Sequence, residues 1–237
     1  MAYIIALLLM IAGCGLVVFL MKYFTNTKLT NLVFVLATFL CYLALVLSIY
    51  RKVGANDWNF RNTLPVANVS PFMFCTVPLA LVLPERVRQW FRRLITLLSV
   101  GMFFAPVFSC IYFASIHYAF HPFFLLDYFA HFSLFLWGIY LVRSEQVTLC
   151  VREDVIGGSI IVAVALIMLI LNVILDTAFF GLSLNGKHNI YNMVLVPYSA
   201  LSAVIYFFGL IGVLFIGYFF RKIRIGKEDR GHDSLSA

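Results

Sequence analysis

The sequence has few charged residues and no polar stretch long enough to form a soluble domain. Of its 237 residues, 11% are Asp, Glu, Lys or Arg, against about 25% in ordinary soluble domains. Hydrophobic residues make up 63% of the chain, which leaves too little polar surface to cover a water-soluble fold. The longest hydrophilic stretches are 50–63 and 221–237. These shortages exclude a soluble enzyme or a soluble binding domain.

Motifs for metal binding and for common catalytic machinery are also missing. The Gly-x-Ser-x-Gly, His-Glu-x-x-His, P-loop and Rossmann patterns are absent. The cysteines show no C-x-x-C or His-Cys spacing, and most lie within apolar tracts. They are Cys14, Cys41, Cys75, Cys110 and Cys150. We therefore expect no disulfide framework, no metal and no cofactor.

Apolar runs recur along the whole chain. Each is about 20 residues long, which is enough to cross a hydrocarbon core of ~30 Å as a helix. We predict an all-α, polytopic membrane bundle of about seven transmembrane helices, with one transmembrane domain over 1–220. A short basic tail over 221–237 is expected to be disordered. The predicted spans are 3–21, 29–49, 64–83, 94–116, 123–142, 155–175 and 199–220. The amphiphilic stretch 176–198 is predicted to be re-entrant or to lie in the interface.

The distribution of Lys and Arg predicts the orientation of these spans. Thirteen of the 17 basic residues fall on one side and four on the other. The positive-inside rule then places the N-terminus outside and the C-terminus in the cytoplasm. This rule also explains the net charge of +7, so nucleic acid is not expected as a partner.

The segment 84–93 mixes aromatic and basic residues at the predicted cytoplasmic side. Such a segment is typical of a connector that lies on a membrane surface. We expect it to contact anionic headgroups of the inner leaflet through four arginines. These are Arg86, Arg88, Arg92 and Arg93.

Polar residues inside the predicted spans gather on the outer side. Asp127 and His131 are spaced i, i+4 on the fifth helix, and Asn172 and Asp176 share this spacing at the end of the sixth. Each pair therefore lies on one helix face. Asn68 lies in the outer part of the third helix. Because polar groups inside a membrane are costly, at about 2.5–3.5 kcal/mol for a charge, they indicate a functional site.

The residue types predict roles in one outer-leaflet cavity. His131 is a candidate general base and Asp127 a candidate group that orients it. Asn68, Asn172 and Asp176 are candidate substrate-binding residues, with the asparagines as hydrogen-bond donors. Structural alternatives exist for four of these five residues. Asp127 would satisfy helix N-terminal amides, His131 would form a packing hydrogen bond, and the pair on helix six would end that helix.

Three prolines fall in the third apolar run, at Pro65, Pro71 and Pro78. Proline removes a helical hydrogen bond and bends the chain. We therefore predict that the third helix is kinked and that its freed carbonyl groups suit a cavity wall.

Short motifs resemble the YwaF family of bacterial membrane proteins over roughly residues 58–218. They are Trp58, Leu64-Pro65, Phe120-His121-Pro122, Phe129, His131, Gly138-Ile139-Tyr140 and Leu171-Asn172-Val173. The family is similar to eukaryotic transmembrane enzymes that move acyl chains between phospholipids through a cysteine and a histidine. The resemblance implies a multi-pass protein of the bacterial cytoplasmic membrane, with His131 as the family's histidine. After Leu-Pro the family usually continues Leu-His-Leu-Cys, whereas residues 66–69 read Val-Ala-Asn-Val.

Two classes of function follow from the sequence. The first is a lipid-modifying enzyme, with acyl transfer between phospholipids as the candidate reaction. The second is a non-enzymatic component that binds or transports a lipid or small solute, or a subunit of an assembly with another membrane protein. Membrane lipids are the expected partners in both.

Overall fold

The computed structural model describes residues 2–55, 63–65, 69–115, 122–147, 150–175 and 208–219. Within these ranges the regular elements are helices. A single 3-10 turn, Met21–Tyr23, follows the first helix. The helices are α1 (Ala2–Leu20), α2 (Thr27–Val53), α3 (Val69–Thr76), α4 (Leu79–Val82), α5 (Glu85–Ser115), α6 (Pro122–Arg143), α7 (Val151–Leu175) and α8 (Phe208–Phe219).

Four of these helices have the length and composition to cross a membrane. The qualifying stretches are Thr27–Val53, Glu85–Val107, Leu125–Arg143 and Val151–Ile174. Shorter apolar helices occupy Leu7–Tyr23, Val69–Val82 and Phe208–Phe219. The predicted all-α class with membrane-capable helices is therefore confirmed for the described part of the chain. Seven crossings and the placement of the two termini stay predictions, and the tail and 176–198 lie outside the described residues.

Local sequence explains where α2 begins and ends. The side chain of Asn26 accepts a hydrogen bond from the Leu29 amide at 3.0 Å, which satisfies a free donor in the first turn. At the other end, Gly54 has a φ of 79°. This left-handed conformation favours glycine, and the Gly54 amide donates to the Tyr50 carbonyl at 2.8 Å.

The third apolar run is broken, as its prolines predict. Helix α3 ends at Thr76 and α4 begins at Leu79, with Val77 and Pro78 in a turn between them. Pro78 has no N–H and cannot continue the helical ladder. The missing N–H leaves the Phe74 carbonyl, four residues earlier, without its usual helical donor. The predicted kink is confirmed.

Helix α6 is the centre of the bundle. It packs along α2 and α5 and also contacts α1 and α3. Leu134, Trp137 and Leu141 on this helix are completely buried. On α5, Phe103 packs against Phe132 of α6, with ring centroids 5.8 Å apart.

Close helix contacts show that α5 runs antiparallel to both α6 and α8. A Cβ atom at Gly138 of α6 would lie 2.3 Å from the Ser99 Cβ of α5. Since Phe103 faces Phe132, positions rise along α5 as they fall along α6. On α8, a Cβ atom at Gly217 would lie 2.5 Å from the Leu97 carbonyl oxygen of α5, and a Cβ atom at Gly101 of α5 would lie 2.9 Å from the Val213 side chain of α8. Positions therefore rise along α5 as they fall along α8. Glycine is required at Gly138 and Gly217 by close approach rather than by backbone angles.

Polar contacts gather five helix ends at one end of the bundle. Arg93 at the start of α5 binds Asp154 at the start of α7. Arg143 at the end of α6 donates to the Val18 carbonyl of α1 at 3.0 Å. Asn31 at the start of α2 lies at this same end, because it contacts the turn after α6. We call this the basic end, because Lys22, Lys28, Arg86, Arg88, Arg92, Arg93, Arg143 and Arg152 all belong to these helix ends.

Candidate functional site

His131 is buried in the helix at the centre of the bundle, with 6% of its surface exposed. It lies 12 residues before Arg143, or about 18 Å from the basic end along the helix axis. It is nearer to the other end of α6, which begins at Pro122. A titratable ring held inside an apolar bundle is costly unless its polar atoms are engaged.

Asp127 engages one nitrogen of this ring. The His131 Nδ1 atom lies 2.8 Å from the backbone oxygen of Asp127 and 3.3 Å from its carboxylate Oδ1. A backbone carbonyl can only accept a hydrogen bond, so Nδ1 carries the proton and donates it. In the neutral ring the other nitrogen, Nε2, is then the one with a free lone pair. The predicted contact between Asp127 and His131 is present.

Phe74 packs against His131, and Tyr42 packs against Phe74 in turn. The Phe74 ring of α3 meets the imidazole edge-on, with centroids 4.8 Å apart and an interplanar angle of 88°. Tyr42 of α2 packs against Phe74 at 5.8 Å. The Tyr42 hydroxyl donates to the Thr63 carbonyl at 2.9 Å. The site therefore joins α2, α3 and α6 to the segment 63–65.

Sequence reasoning did not select Tyr42 or Phe74. The chain contains 12 tyrosines and 25 phenylalanines, so an aromatic residue in an apolar run carries no signal of its own. Both lie on helices that pack against each other. Only that packing shows that Phe74 lies beside His131 and that Tyr42 lies beside Phe74.

The remaining predicted site residues are not brought to His131 by any described contact. Asn172 is buried, with 3% of its surface exposed, on α7. That helix packs chiefly on α5, whereas α6 packs on α1, α2, α3 and α5. Asn68 and Asp176 lie outside the described residues. The shared cavity of Asn68, His131 and Asn172 therefore stays a prediction.

Candidate groups for covalent or metal chemistry are spread out in the described part of the chain. Cys75 is exposed on α3, next in sequence to the Phe74 that covers His131. Within the described ranges, no three His, Cys, Asp or Glu side chains lie close enough together to hold a metal ion. The described geometry is thus that of an imidazole that Asp127 holds and that packs against the Phe74 ring.

A second buried polar group, which the sequence did not predict, lies at the basic end. Arg93 is 5% exposed and Asp154 is 4% exposed. The Arg93 Nη1 atom donates to Asp154 Oδ1 at 2.6 Å, and Nη2 donates to the Glu153 carboxylate. We call these three residues the Arg93 ion cluster. Of the four arginines predicted to meet headgroups, Arg93 therefore faces two carboxylates, the buried one of Asp154 and the partly exposed one of Glu153.

An uncharged network beside it ties α2 to α6. The Trp137 indole N–H donates to Asn31 Oδ1 at 2.9 Å. The Asn31 amide donates to Gln146 Oε1 at 2.6 Å, and the Gln146 amide donates to the Ser144 hydroxyl at 2.7 Å. Glu145 has a φ of 54°, which turns the chain sharply after α6 and places Gln146 over Asn31. We call these residues the Asn31 network.

No family model matches the chain, and no curated protein or solved structure is significantly similar to it. The resemblance to the YwaF family stays a prediction.

Proposed function

We propose that the protein crosses the membrane seven times, with its N-terminus outside and its C-terminus in the cytoplasm. Four described helices have membrane-crossing length and composition, which supports insertion. The basic residues of five helix ends gather at one end of the bundle. Such an asymmetry favours a cytoplasmic location for that end. His131 then lies in the outer half of the membrane.

Cysteine labelling with a membrane-impermeant thiol reagent tests this orientation. Ala55 and Arg86 are both exposed. Ala55 lies just beyond the end of α2, whereas Arg86 lies at the start of α5, at the opposite end of the bundle. On a background with the exposed Cys75 changed to Ser, we expect A55C to label in intact cells. R86C should label only after the membrane is permeabilised. The reverse pattern would contradict the orientation.

We propose that the His131 site binds the polar group of a membrane lipid. The observation that carries this is the engagement of Nδ1 by Asp127, which leaves Nε2 as a hydrogen-bond acceptor. The ligand would present a hydroxyl or N–H group to this nitrogen. Glycerol hydroxyls and amine headgroups of lipids supply such donors. The aromatic wall from Phe74 and Tyr42 suits the apolar part of the same molecule.

Native mass spectrometry of the purified full-length protein tests this binding. We expect wild-type protein to retain a lipid that H131F loses, because a phenyl ring fills the space but accepts no hydrogen bond. F129L serves as the control, since Phe129 is 51% exposed on the same helix. Equal lipid retention by wild type, H131F and F129L would contradict a lipid site at His131.

A second candidate function is lipid modification, including acyl transfer. The observation that favours it is the carboxylate beside the imidazole, since Asp127 both orients the ring and stabilises its protonated form. The YwaF resemblance points to the same chemistry. In this candidate reaction, Nε2 takes a proton from the attacking group. The histidine and cysteine expected after Pro65 are replaced by other residues, which is why binding is proposed first.

The variant H131Q separates the two functions. Glutamine offers a carbonyl oxygen as an acceptor but cannot take up a proton at neutral pH. If the protein only binds lipid, H131Q should retain part of the lipid that H131F loses, and cellular lipid composition should be unchanged. If the protein is an enzyme, H131Q should lower turnover by about 10²–10⁴-fold, the usual contribution of a general base. Lipidomics of cells carrying each variant measures this difference.

A further inference from the structure

The four arginines at the start of α5 have different surroundings. Arg93 is buried in its ion cluster with two carboxylates. Arg86 is exposed. The Nε atoms of Arg88 and Arg92, by contrast, are shielded from solvent and have no hydrogen-bond partner among the described residues. Arg93 is thus paired with carboxylates and Arg86 is exposed, whereas Arg88 and Arg92 each have a shielded Nε donor that no described residue uses.

An unused N–H donor on a charged group is costly once water is excluded from it. Two such donors one helical turn apart, about 6 Å along the axis, are also close enough for their positive charges to repel. The carboxylate of Glu85 pairs with Arg88 and also accepts from Gln89 at 2.6 Å. Within the described ranges, no carboxylate lies within ion-pair distance of Arg92. One anion beside the two arginines would accept hydrogen bonds from the unused donors and would also reduce the repulsion between the two positive charges.

The neighbouring side chains indicate what kind of molecule carries this anion. Trp90 is 37% exposed and Val87 is 49% exposed on the same helical segment. Tryptophan beside basic residues at a helix end is typical of the membrane interface, where phosphate headgroups lie. Guanidinium groups match phosphate oxygens through two parallel hydrogen bonds, which ammonium groups cannot make.

We propose that Arg88 and Arg92 form a binding site for one phosphate group, with the headgroup of an anionic phospholipid as its source at the basic end. With both side chains turned toward the headgroup, Arg92 donates through Nε and a terminal nitrogen to the phosphate oxygens, and Arg88 donates through the nitrogens that Glu85 leaves free. Arg93 takes no part, because Asp154 and Glu153 occupy its terminal nitrogens.

Native mass spectrometry of the full-length protein in detergent tests the site. The probes are dioleoyl phosphatidylglycerol and dioleoylglycerol, which share acyl chains and differ in the phosphate. We expect phosphatidylglycerol to bind wild-type protein and dioleoylglycerol to bind far more weakly. R88Q/R92Q should weaken phosphatidylglycerol binding by about tenfold or more.

R86Q/R152Q is the matched control. It removes two positive charges from exposed arginines at the same end of the bundle, and it should leave phosphatidylglycerol binding within about twofold of wild type. Equal weakening by the two double variants would show that general surface charge attracts the lipid. That outcome overturns the proposal.

R88K/R92K provides a second variant that keeps both charges and the helix. Lysine lacks the planar fork of arginine, so we expect binding to weaken here as well. Wild-type affinity in R88K/R92K would overturn the proposed geometry. A further arm adds inorganic phosphate in place of lipid. If phosphate alone stabilises wild-type protein but not R88Q/R92Q, the site binds the free anion. If only phosphatidylglycerol binds in this residue-dependent way, the site belongs to the lipid.

Discussion

Replacing Gly138 by alanine should force α5 and α6 apart. The added Cβ would lie 2.3 Å from the Ser99 Cβ and 2.6 Å from the Ser99 hydroxyl oxygen. Carbon atoms in contact prefer about 3.5–4.0 Å, so one helix must move by about 1.2 Å or more. Ser99 is 4% exposed, and its Cβ is fixed to the backbone. Rotation of the side chain therefore cannot relieve the contact.

The expected cost is about 1–3 kcal/mol, the usual range for overpacking a well-packed core. Alanine is the better helix former by about 1 kcal/mol, which offsets part of this cost. Thermal unfolding of the purified protein in detergent should therefore show a lower Tm for G138A. G13A is the control, because among the described residues no atom outside the local backbone of α1 lies within 4 Å of a Cβ placed at Gly13. It should keep or raise the Tm.

The double variant G138A/S99G completes the test. S99G alone should lose stability, since glycine costs about 1 kcal/mol in a helix and the hydrogen bond from Ser99 to the Thr96 carbonyl is lost. In the double variant the clashing Cβ of Ser99 is absent. We expect it to be more stable than the sum of the single effects predicts. Strict additivity, or wild-type stability of G138A, would refute the proposed close contact.

Two further predictions concern the basic end. W137F removes the indole donor to Asn31 Oδ1, and it should lower the free energy of unfolding by about 1–3 kcal/mol; chemical denaturation that finds W137F unchanged would contradict the Asn31 network. R93M leaves the carboxylates of Asp154 and Glu153 without their guanidinium partner, and a loss of about 3–5 kcal/mol is expected. R93M/D154L should recover part of that loss in the same assay, and no recovery would argue against the ion pair.

Most of the helices could be predicted because apolar run length is a direct signal of membrane helices. Described helices lie in each of the seven predicted apolar runs, and Pro78 breaks the third. The i, i+4 contact of Asp127 with His131 was also predictable, since helical spacing alone brings those residues together. Helical spacing is therefore enough to predict a contact when both residues belong to one helix.

Contacts between helices far apart in sequence could not be predicted in this way. Phe74 lies against His131 only because α3 packs on α6. Arg93 follows directly after Arg92 and carries the same charge, yet it faces Asp154 across the bundle. Charge patterning predicts that both arginines lie at the membrane surface. In the structure, the packing of α5 on α7 turns Arg93 toward Asp154 and does not turn Arg92 toward it.

The central position of α6 has a consequence for how the chain is made. Asn31 meets Gln146 across 115 residues of sequence, and Arg143 meets Val18 across 125. At synthesis rates of about 5–20 residues per second, the first of these partners follows Asn31 by roughly 6–23 s. During this interval α1 and α2 lack α6, against which both of them pack. A chain that stops before residue 146 therefore leaves the sides of α1 and α2 that face α6 uncovered, and completion of α6 is the step that ends this exposure.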